Sequence, residues 1–402
     1  MARLISRRRF VGTGTLFAGS LWWRGGVAEA RVRNLRGGEI LPDPDCSLLR
    51  ETSPHLIGIR PYRTQGVRLE LVAAPLGEGT RAKRLIHNYG HGGAGVTLSW
   101  GCASVVTDHI DTLIGKSPPA SAKIAVLGSG IVGLTTATEI HRRWPELPIT
   151  VYAKDLDLTS TVSWVAGGQF EPSGMHRLYR GPERLAVLHD YMRRSHDRVV
   201  QIQNSGRRHA YGVAVRKNYT LDRKLAAFET GVPQDVVPAP RRGRLPFKNL
   251  NMRGHEYQTW LQNPIIMMPQ LVEDLKAAGV KFEARHFRST KDLVDLPETL
   301  VVNCTGLGSR ELFNDDALIP QRGHNVVLKK ADERQFYFFS GGCENRVIAY
   351  IFCRQDDIVV GGTVQPGNDS LARTEEDDAI FAMLQRNGEH LFAGRVSACV
   401  RG

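Results

Sequence analysis

The sequence has few cysteines, six in 402 residues, and no two of them form a Cys-x-x-Cys pair. A structural zinc site or a thioredoxin-like redox centre therefore has no support. The hydrophobic stretch after Phe10 contains about 14 apolar or small residues, short of the roughly 20 that a spanning helix needs, so no stable membrane span is expected. Low-complexity tracts are also missing, and 42% of the residues are hydrophobic. This composition is typical of a soluble globular chain that is long enough for two domains.

Acidic residues are outnumbered, since 41 Asp and Glu stand against 53 Lys and Arg. The basic excess is spread along the chain, and its densest stretch, residues 241–248, matches no recognisable nucleic-acid-binding module. We interpret that stretch as solvated surface and expect no nucleic-acid partner.

Residues 1–30 have the pattern of an export signal. Arg7, Arg8 and Arg9 precede the hydrophobic stretch, and Ala28-Glu29-Ala30, with small residues at its first and third positions, resembles a cleavage site. The consecutive arginines favour the twin-arginine route, which predicts a periplasmic or secreted protein. The segment that follows, residues 31–56, is rich in proline, glycine and charge and is predicted to be an extended arm.

Residues 124–133, Ile-Ala-Val-Leu-Gly-Ser-Gly-Ile-Val-Gly, predict a strand, a tight turn and a helix. Gly128 permits the turn, Gly130 lets the backbone approach a pyrophosphate, and Gly133 lets the helix pack on the strand. The next predicted strand is followed by Asp155, at the spacing of a ribose-binding carboxylate. The pattern indicates a dinucleotide-binding βαβ unit, although a glycine turn in another α/β protein has the same local signature.

A second glycine-rich stretch, residues 85–97, precedes this unit and predicts a loop wrapped against a ligand. Helices are predicted over residues 104–113, 134–143, 185–203 and 268–278, and an aromatic-bearing loop over 257–260. Strands are predicted over residues 57–61, 67–72, 148–152, 280–282, 300–303, 325–328, 336–339, 347–352 and 358–360. This order predicts an α/β fold in which a nucleotide-binding layer is interrupted by a mostly antiparallel sheet.

Several stretches resemble the D-amino-acid oxidase family of FAD-dependent flavoproteins. The most specific is residues 87–97, His-Asn-Tyr-Gly-His-Gly-Gly-Ala-Gly-Val-Thr, which with residues 100–103 looks like the family signature. Residues 302–306, 322–324 and 361–368 support the likeness, which covers nearly all of the chain beyond residue 56. The resemblance implies a FAD-binding Rossmann-like domain and a substrate-binding domain with a mostly antiparallel sheet.

The order of these stretches differs from that of the family, in which the signature closes the chain and the βαβ unit opens it. Here the signature comes first, so the sequence looks circularly permuted, and a strand at 395–400 is expected to run toward residue 59.

Two positions also depart from the family pattern. Lys154-Asp155 stands where an acidic residue and arginine are typical, so the ribose contact would either shift by one residue or be lost. Ala94 stands where tyrosine is frequent, which would widen the pocket near the flavin.

The resulting layout is an export signal (1–30), an extended arm (31–56), a permuted segment (57–115), a linker (116–121), a FAD-binding βαβ unit (122–175), a substrate domain with a lid (176–264), a further part of the FAD domain (265–310) and a substrate sheet (311–402).

The resemblance also implies the site residues. Arg60 matches the family's carboxylate-binding arginine, and a planar guanidinium suits two carboxylate oxygens. Tyr257 and Tyr350 are candidates to complete this clamp, and each is equally a candidate core aromatic with a satisfied hydroxyl. Gly93 would offer its carbonyl to the substrate amine. The FAD-binding candidates are Gly92, Gly93, Ala94, Gly95, Val96, Thr97, Gly128, Gly130, Ile131, Val132, Gly133, Asp155, Thr161, Ala166, Gly167, Thr305 and Gly306.

The leading hypothesis is an exported FAD oxidase that moves a hydride from Cα of a D-amino acid to the flavin and yields a 2-oxo acid, ammonia and hydrogen peroxide. Its partners would be a small-molecule amino acid and dioxygen, without a metal. A flavin dehydrogenase that feeds a respiratory carrier and a catalytically weak flavin-binding protein are the alternatives. The sequence is also compatible with a homo-oligomer.

Cys46 and Cys399 flank the expected new chain ends. A disulfide between them would close the cut strand, provided that their Cα atoms come within about 7 Å. Two unrelated thiols are an equal alternative.

Overall fold

The computed structural model describes residues 39–43, 52–221, 231–250, 252–341 and 350–392, which belong to one compact unit. The predicted export signal, most of the arm, the strand at 395–400, Cys46 and Cys399 lie outside the described residues. None of the helices in the described ranges combines the length and apolar character needed to cross a bilayer.

The described strands are β1 His55–Arg63, β2 Arg68–Leu71, β3 Arg84–Tyr89, β4 Ile124–Leu127, β5 Ile149–Ala153, β6 Val213–Thr220, β7 Arg241–Arg244, β8 Arg253–Gln262, β9 Lys281–Ala284, β10 Leu300–Asn303, β11 Leu318–Lys329, β12 Tyr337–Ser340, β13 Tyr350–Cys353, β14 Asp357–Gly361 and β15 Gln365–Pro366. The described α-helices are α1 Gly95–Ile114, α2 Ile131–Arg143, α3 Pro182–Asn204, α4 Pro264–Ala277, α5 Thr290–Val294, α6 Ser309–Leu312 and α7 Glu375–Phe392.

Six strands form a sheet in the order β2-β3-β10-β4-β5-β9, and all except β2 run parallel. The four residues of β4 are completely buried, as an apolar strand covered on both faces should be. Helices α1, α2 and α4 contribute to the apolar core on one face. The C-terminal ends of the parallel strands meet at one edge, where ligands bind in folds of this kind.

The second sheet has nine strands in the order β1-β11-β14-β13-β12-β6-β8-β7, with β15 added to β11. Its pairs are antiparallel except for β12 with β6. The predicted fold class, a Rossmann-like layer combined with a mostly antiparallel sheet, is confirmed.

Helix α3 packs closely across α1, and a glycine makes the approach possible. A Cβ atom on Gly101 would lie 1.9 Å from the Tyr191 carbonyl oxygen, and the Gly101 N–H donates to Ser195 Oγ at 2.7 Å. The helix that opens the predicted substrate domain therefore rests on the helical layer of the six-stranded sheet.

Three predictions of local structure are wrong. Residues 85–89 belong to strand β3, which pairs with β2 and β10, so the glycine-rich loop is confined to residues 90–94 and α1 begins at Gly95. Residues 257–260 lie within strand β8 rather than in a loop, because each of them pairs with a residue of β6. Strand β1 begins at His55, inside the predicted arm.

The predicted substrate sheet at 311–402 also contains a helix, α7. The Thr374 N–H donates to Asp377 Oδ2 at 2.8 Å, and the Asp377 N–H donates to Thr374 Oγ1 at 3.4 Å. This reciprocal arrangement is a capping box, and the acidic residues that follow Thr374 favour a helix start through the helix dipole.

Buried polar side chains fix α7 against the sheet. Asp377 is fully buried and accepts two hydrogen bonds of 2.6 Å from Arg322 on β11. His324 Nδ1 lies 3.5 Å from Asp377 Oδ1, and His324 Nε2 lies 2.9 Å from His55 Nδ1 on β1. Strand β1, which carries Arg60, is thus linked to α7 through β11.

Candidate active site

A cavity of about 1560 Å³ runs between the C-terminal edge of the parallel strands and the inner side of β1, β11 and β13. Small-molecule pockets usually enclose about 300–1,000 Å³. The volume is therefore sufficient for a dinucleotide together with a small substrate.

The turn between β4 and α2 forms one end of the cavity. Gly128 has φ +110°, and a Cβ atom there would lie 2.5 Å from the Cys304 carbonyl oxygen. A Cβ on Gly133 would lie 1.9 Å from the Gly128 oxygen, so both glycines are required by packing. A Cβ on Gly130 would meet only Ser163 Oγ, at 3.4 Å. Gly130 therefore leaves open space on the cavity wall at the N-terminus of α2, which suits a phosphate.

A second helix begins beside the first. The missing Cβ of Gly95, the first residue of α1, would lie 3.9 Å from the side chains of Ile131 and Val132. Gly92 and Gly93 precede it with φ +55° and +112°. Two helix N-termini, each with free N–H groups, therefore meet at the same wall and create positive potential there.

Asp155 lines the cavity two residues beyond the end of β5, where a ribose-binding carboxylate was predicted. Its Oδ1 accepts from the Asp157 N–H at 2.9 Å, and its carbonyl accepts from Ser129 Oγ at 3.2 Å. Lys154 lines the same stretch.

Most of the other predicted FAD-binding residues line the cavity: Val96, Thr161, Ala166, Gly167, Thr305 and Gly306. Ala94, Thr97 and Gly133 are outside this lining. Ala94 is buried and accepts the Leu98 N–H at the start of α1. Thr97 Oγ1 donates to the Glu171 carbonyl at 2.7 Å, and Gly133 packs against the turn. These three residues support the wall from behind.

Arg60 lies at the other end, on β1, in a slot made by two glycines. A Cβ on Gly323 would lie 2.4 Å from both terminal nitrogens of Arg60, and a Cβ on Gly93 would lie 3.2 Å from Arg60 Cδ. Arg60 Nη1 donates to the Thr363 carbonyl at 3.1 Å. Within the described ranges no carboxylate lies within 4.0 Å of the guanidinium. A half-buried arginine with unused donors is a ready anion-binding group.

Tyr257 and Tyr350 both line the cavity. The Tyr257 hydroxyl accepts from Gln169 Nε2 at 3.2 Å and donates to Glu171 Oε2 at 3.3 Å. The Tyr350 hydroxyl donates to Asn325 Oδ1 at 2.7 Å. The structure thus brings Arg60, Gly93 and both predicted tyrosines to one cavity.

His91 belongs to the glycine-rich loop and is 3% exposed. Burial lowers its pKa to about 4, so the ring is neutral near pH 7. Its Nε2 has no hydrogen-bond partner in the part of the chain that the structure describes. An orphaned polar atom in the wall of a ligand cavity fits a site completed by a bound group.

Residues 123–401 match the model of the DAO family, the FAD-dependent oxidoreductases. The chain belongs to this family. It is similar to a D-amino-acid oxidase of Dictyostelium discoideum, 39% identical over 269 residues, which are 63% of this chain and 69% of that protein. It is also similar to a D-amino-acid oxidase of Streptomyces coelicolor, 29% identical over 272 residues, 66% of this chain and 76% of that protein. A human D-aspartate oxidase is 27% identical over 262 residues, 64% of this chain and 73% of that protein.

The protein is therefore an FAD-dependent oxidoreductase with a D-amino-acid-oxidase-like sequence, and its cavity fits the cofactor. The open space at Gly130, the paired helix N-termini and the unpartnered His91 nitrogen all belong to one wall. Gly130 and Gly95 would hold the cofactor's phosphates and ring system through backbone N–H groups. The Ile131 N–H donates to Ser163 Oγ at 3.1 Å instead.

Sequence reasoning missed three residues of the substrate end in this oxidoreductase. Gly323 leaves room for the Arg60 guanidinium, the Thr363 carbonyl accepts a hydrogen bond from Arg60, and Asn325 Oδ1 accepts a hydrogen bond from the Tyr350 hydroxyl. Gly323 and Thr363 lie in stretches that carried the family resemblance. Their roles depend on which backbone crosses Arg60, and a local sequence pattern does not contain that information.

Proposed function

We propose that this protein oxidatively deaminates a D-amino acid to the 2-oxo acid, ammonia and hydrogen peroxide, with dioxygen as the electron acceptor. The observation that carries the proposal is Arg60, which has no carboxylate partner among the described residues and shares a cavity with the nucleotide-binding turn. The names of the similar proteins support a D-amino acid as the substrate class.

Bound FAD would supply the acceptor for the hydride of Cα–H, which carries both electrons of the oxidation. Arg60 would pair its free N–H donors with the substrate carboxylate, since two parallel donors match two oxygens. The carbonyl of Gly93, next to the Arg60 side chain, would accept from the amine. With the carboxylate and the amine both anchored, the Cα–H bond of a given enantiomer has one direction in the cavity. Positioning of this kind supplies much of the rate enhancement.

The decisive experiment mixes purified, FAD-loaded protein with a panel of D- and L-amino acids without oxygen, followed by admission of air. We expect several D-amino acids to bleach the flavin absorbance and air to restore it with stoichiometric peroxide. Bleaching without peroxide would favour a dehydrogenase that uses another acceptor. A flavin that no amino acid bleaches would leave a flavin-binding protein.

We also propose that the protein is exported in folded form by the twin-arginine route, on the strength of Arg7, Arg8 and Arg9 before a modest hydrophobic stretch. Replacement of these arginines by lysine should keep the protein in the cytoplasm with FAD bound. Unchanged recovery from the periplasm would reject this route.

A circular permutation is the third part of the proposal. The family match begins at residue 123, yet β3 and α1 precede that residue and supply a strand beside β10 and a helix against α2. A reordered variant that starts at residue 122 and joins residue 402 to residue 52 should fold and bind FAD. Loss of FAD binding in that variant would argue against the permutation.

A further inference from the structure

The pairing of β11 with the strands that follow it contains an irregularity at the substrate end of the cavity. Strand β14 pairs with β11 up to Val326, and β15 resumes the pairing at Arg322. Between these two positions, residues 323–325 of β11 face residues 361–364, so one side has an extra residue. An extra residue of this kind is a β-bulge, and bulges often lie beside active sites, where they re-aim a group.

Thr363 lies in this bulge and is 6% exposed. Its Oγ1 accepts from the His324 N–H at 2.7 Å and donates to the His324 carbonyl at 3.3 Å. In a regular antiparallel ladder, the backbone of the neighbouring strand makes both of these hydrogen bonds. A hydroxyl can replace that backbone because it is a donor and an acceptor at once.

The carbonyl of Thr363 is left free of the ladder by this substitution and accepts from Arg60 Nη1 at 3.1 Å. Gly362, with φ +130°, supplies the backbone conformation that precedes it. Thr363 thus joins two strands, since its hydroxyl holds β11 and its carbonyl holds the arginine of β1. A β-branched side chain has few χ1 rotamers, so the positions of the hydroxyl and the carbonyl are coupled.

The contact with Gly323 confines the Arg60 guanidinium to a slot, and the hydrogen bond to Thr363 fixes its rotation within that slot. Rotation matters because two N–H donors must lie parallel to two carboxylate oxygens. We infer that Thr363 is a positioning residue for Arg60, and that its hydroxyl is the group on which this role depends. The inference rests on the proposed function, in which Arg60 binds the substrate carboxylate.

The test compares Thr363→Val, which keeps the shape of the side chain without the hydroxyl, with Thr363→Ser, which keeps the hydroxyl. Propionate serves as an amine-free carboxylate, and its dissociation constant is measured on the FAD-loaded protein from the change in flavin absorbance. In Thr363→Val this constant should rise about tenfold, because the His324 backbone loses both hydrogen bonds and the bulge shifts away from Arg60. In Thr363→Ser it should stay within about twofold of the wild-type value. Equal weakening in the two variants overturns the inference.

A purely structural role of the hydroxyl predicts a different result for Thr363→Val. Urea unfolding would then show a less stable protein, while the folded, FAD-loaded fraction bound propionate as tightly as the wild type does. That outcome also overturns the inference. Thr363→Ala lacks the hydroxyl and adds no bulk, so it provides the same comparison where the valine variant does not hold FAD.

A double variant tests whether the effect passes through Arg60. In an Arg60→Leu background, Thr363→Val should cause no further loss of kcat/KM for the best D-amino acid, since the group that it positions is absent. An undiminished additional loss would show that Thr363 acts by another route and would reject the inference. Failure of the proposed function is seen separately, as a wild-type flavin that no amino acid bleaches.

Discussion

Arg60 is the side chain on which the proposed chemistry depends most. Its guanidinium is seated on Gly323 and uses one described hydrogen bond, to the Thr363 carbonyl. The remaining donors are already oriented before a substrate arrives. Because the group is held by backbone on two sides, little side-chain entropy remains to be lost on binding.

Replacing Arg60 by Leu should leave FAD bound and remove the carboxylate clamp. We expect a loss of about 2–5 kcal/mol in transition-state binding, as for a desolvated charge pair that loses one partner. Steady-state kcat/KM with the best D-amino acid measures this loss, and flavin absorbance measures the retained cofactor. Near-normal turnover in this variant would contradict the assignment.

Arg177 offers a matched control, because it is an exposed arginine on the wall of the same cavity. Arg177→Leu removes the same charge from the cavity without touching the slot at Gly323. If the effect of Arg60 came from general positive potential, the two variants would lose similar activity. A specific clamp predicts that Arg177→Leu changes kcat/KM by less than about threefold, the scale of an exposed charge.

At the scale of elements, Gly130 and Gly133, near the start of α2, are glycines for two different physical reasons. Gly133 is glycine because helix packs on strand, with only 1.9 Å available between a Cβ there and the Gly128 oxygen. Gly130 is free of such contacts and faces the cavity. The same residue type thus serves stability at one position and ligand approach at the other.

Alanine at each of these two positions should therefore have different effects. Gly133→Ala should lower the free energy of unfolding of the FAD-free protein by about 1–3 kcal/mol or more, as overpacking does. Gly130→Ala should leave that value within about 0.5 kcal/mol, the scale of a change without steric conflict, and should weaken FAD binding. Urea unfolding and flavin fluorescence titration separate the two quantities. Equal FAD affinity in Gly130→Ala and the wild type would remove Gly130 from the phosphate site.

At the scale of the whole molecule, buried histidines make stability depend on pH. Burial, the largest cause in each case, lowers the pKa of His87, His91 and His324 to about 4. The unfolded chain protonates these rings near pH 6.5. Between about pH 6.5 and pH 4 the unfolded state therefore binds more protons, so stability is complete above that window and is lost as pH falls through it.

The free energy of unfolding, measured by urea denaturation with saturating FAD, should decrease between pH 7 and pH 5. Each of the three histidines contributes up to about 1.4 kcal/mol per pH unit in the middle of the window. His87→Gln should reduce the slope by one such contribution, whereas His209→Gln, at an exposed position, should not change it. A flat profile from pH 7 to pH 5 would refute the burial argument.

Much of the fold could be predicted from local patterns. The strand at residues 300–303 was predicted with the bounds that the structure has, and the helix at 185–203 differs by a few residues at its start and one at its end. These are short apolar runs or amphipathic periods, which depend on neighbouring residues alone. Strand β3 was missed because the glycines that follow it indicated a loop. Helix α7 was missed as well, although its strongly acidic first turn is itself a helix signal.

The candidate site was predictable where a residue type must meet a backbone requirement, as at Gly128 and Gly133. The seat of Arg60 was not, because Gly323 approaches it through the pairing of β1 with β11, some 260 residues apart in sequence. The same holds for Asn325 and Tyr350, which meet only because β13 and β11 both flank β14. Contacts of this kind follow from sheet order rather than from any local pattern.

The position of β3 in the sheet has a consequence for synthesis of the chain. Strand β3 ends at Tyr89 and its parallel partner β10 ends at Asn303. At a ribosomal rate of about 5–20 residues per second, the roughly 210 intervening residues take about 10–40 s to appear. During that interval β2 pairs with one edge of β3, and the other edge has no partner until β10 has been synthesised. An exposed apolar edge is a site of aggregation, so a nascent chain of this order should depend on chaperones more than one in which neighbouring strands are translated together.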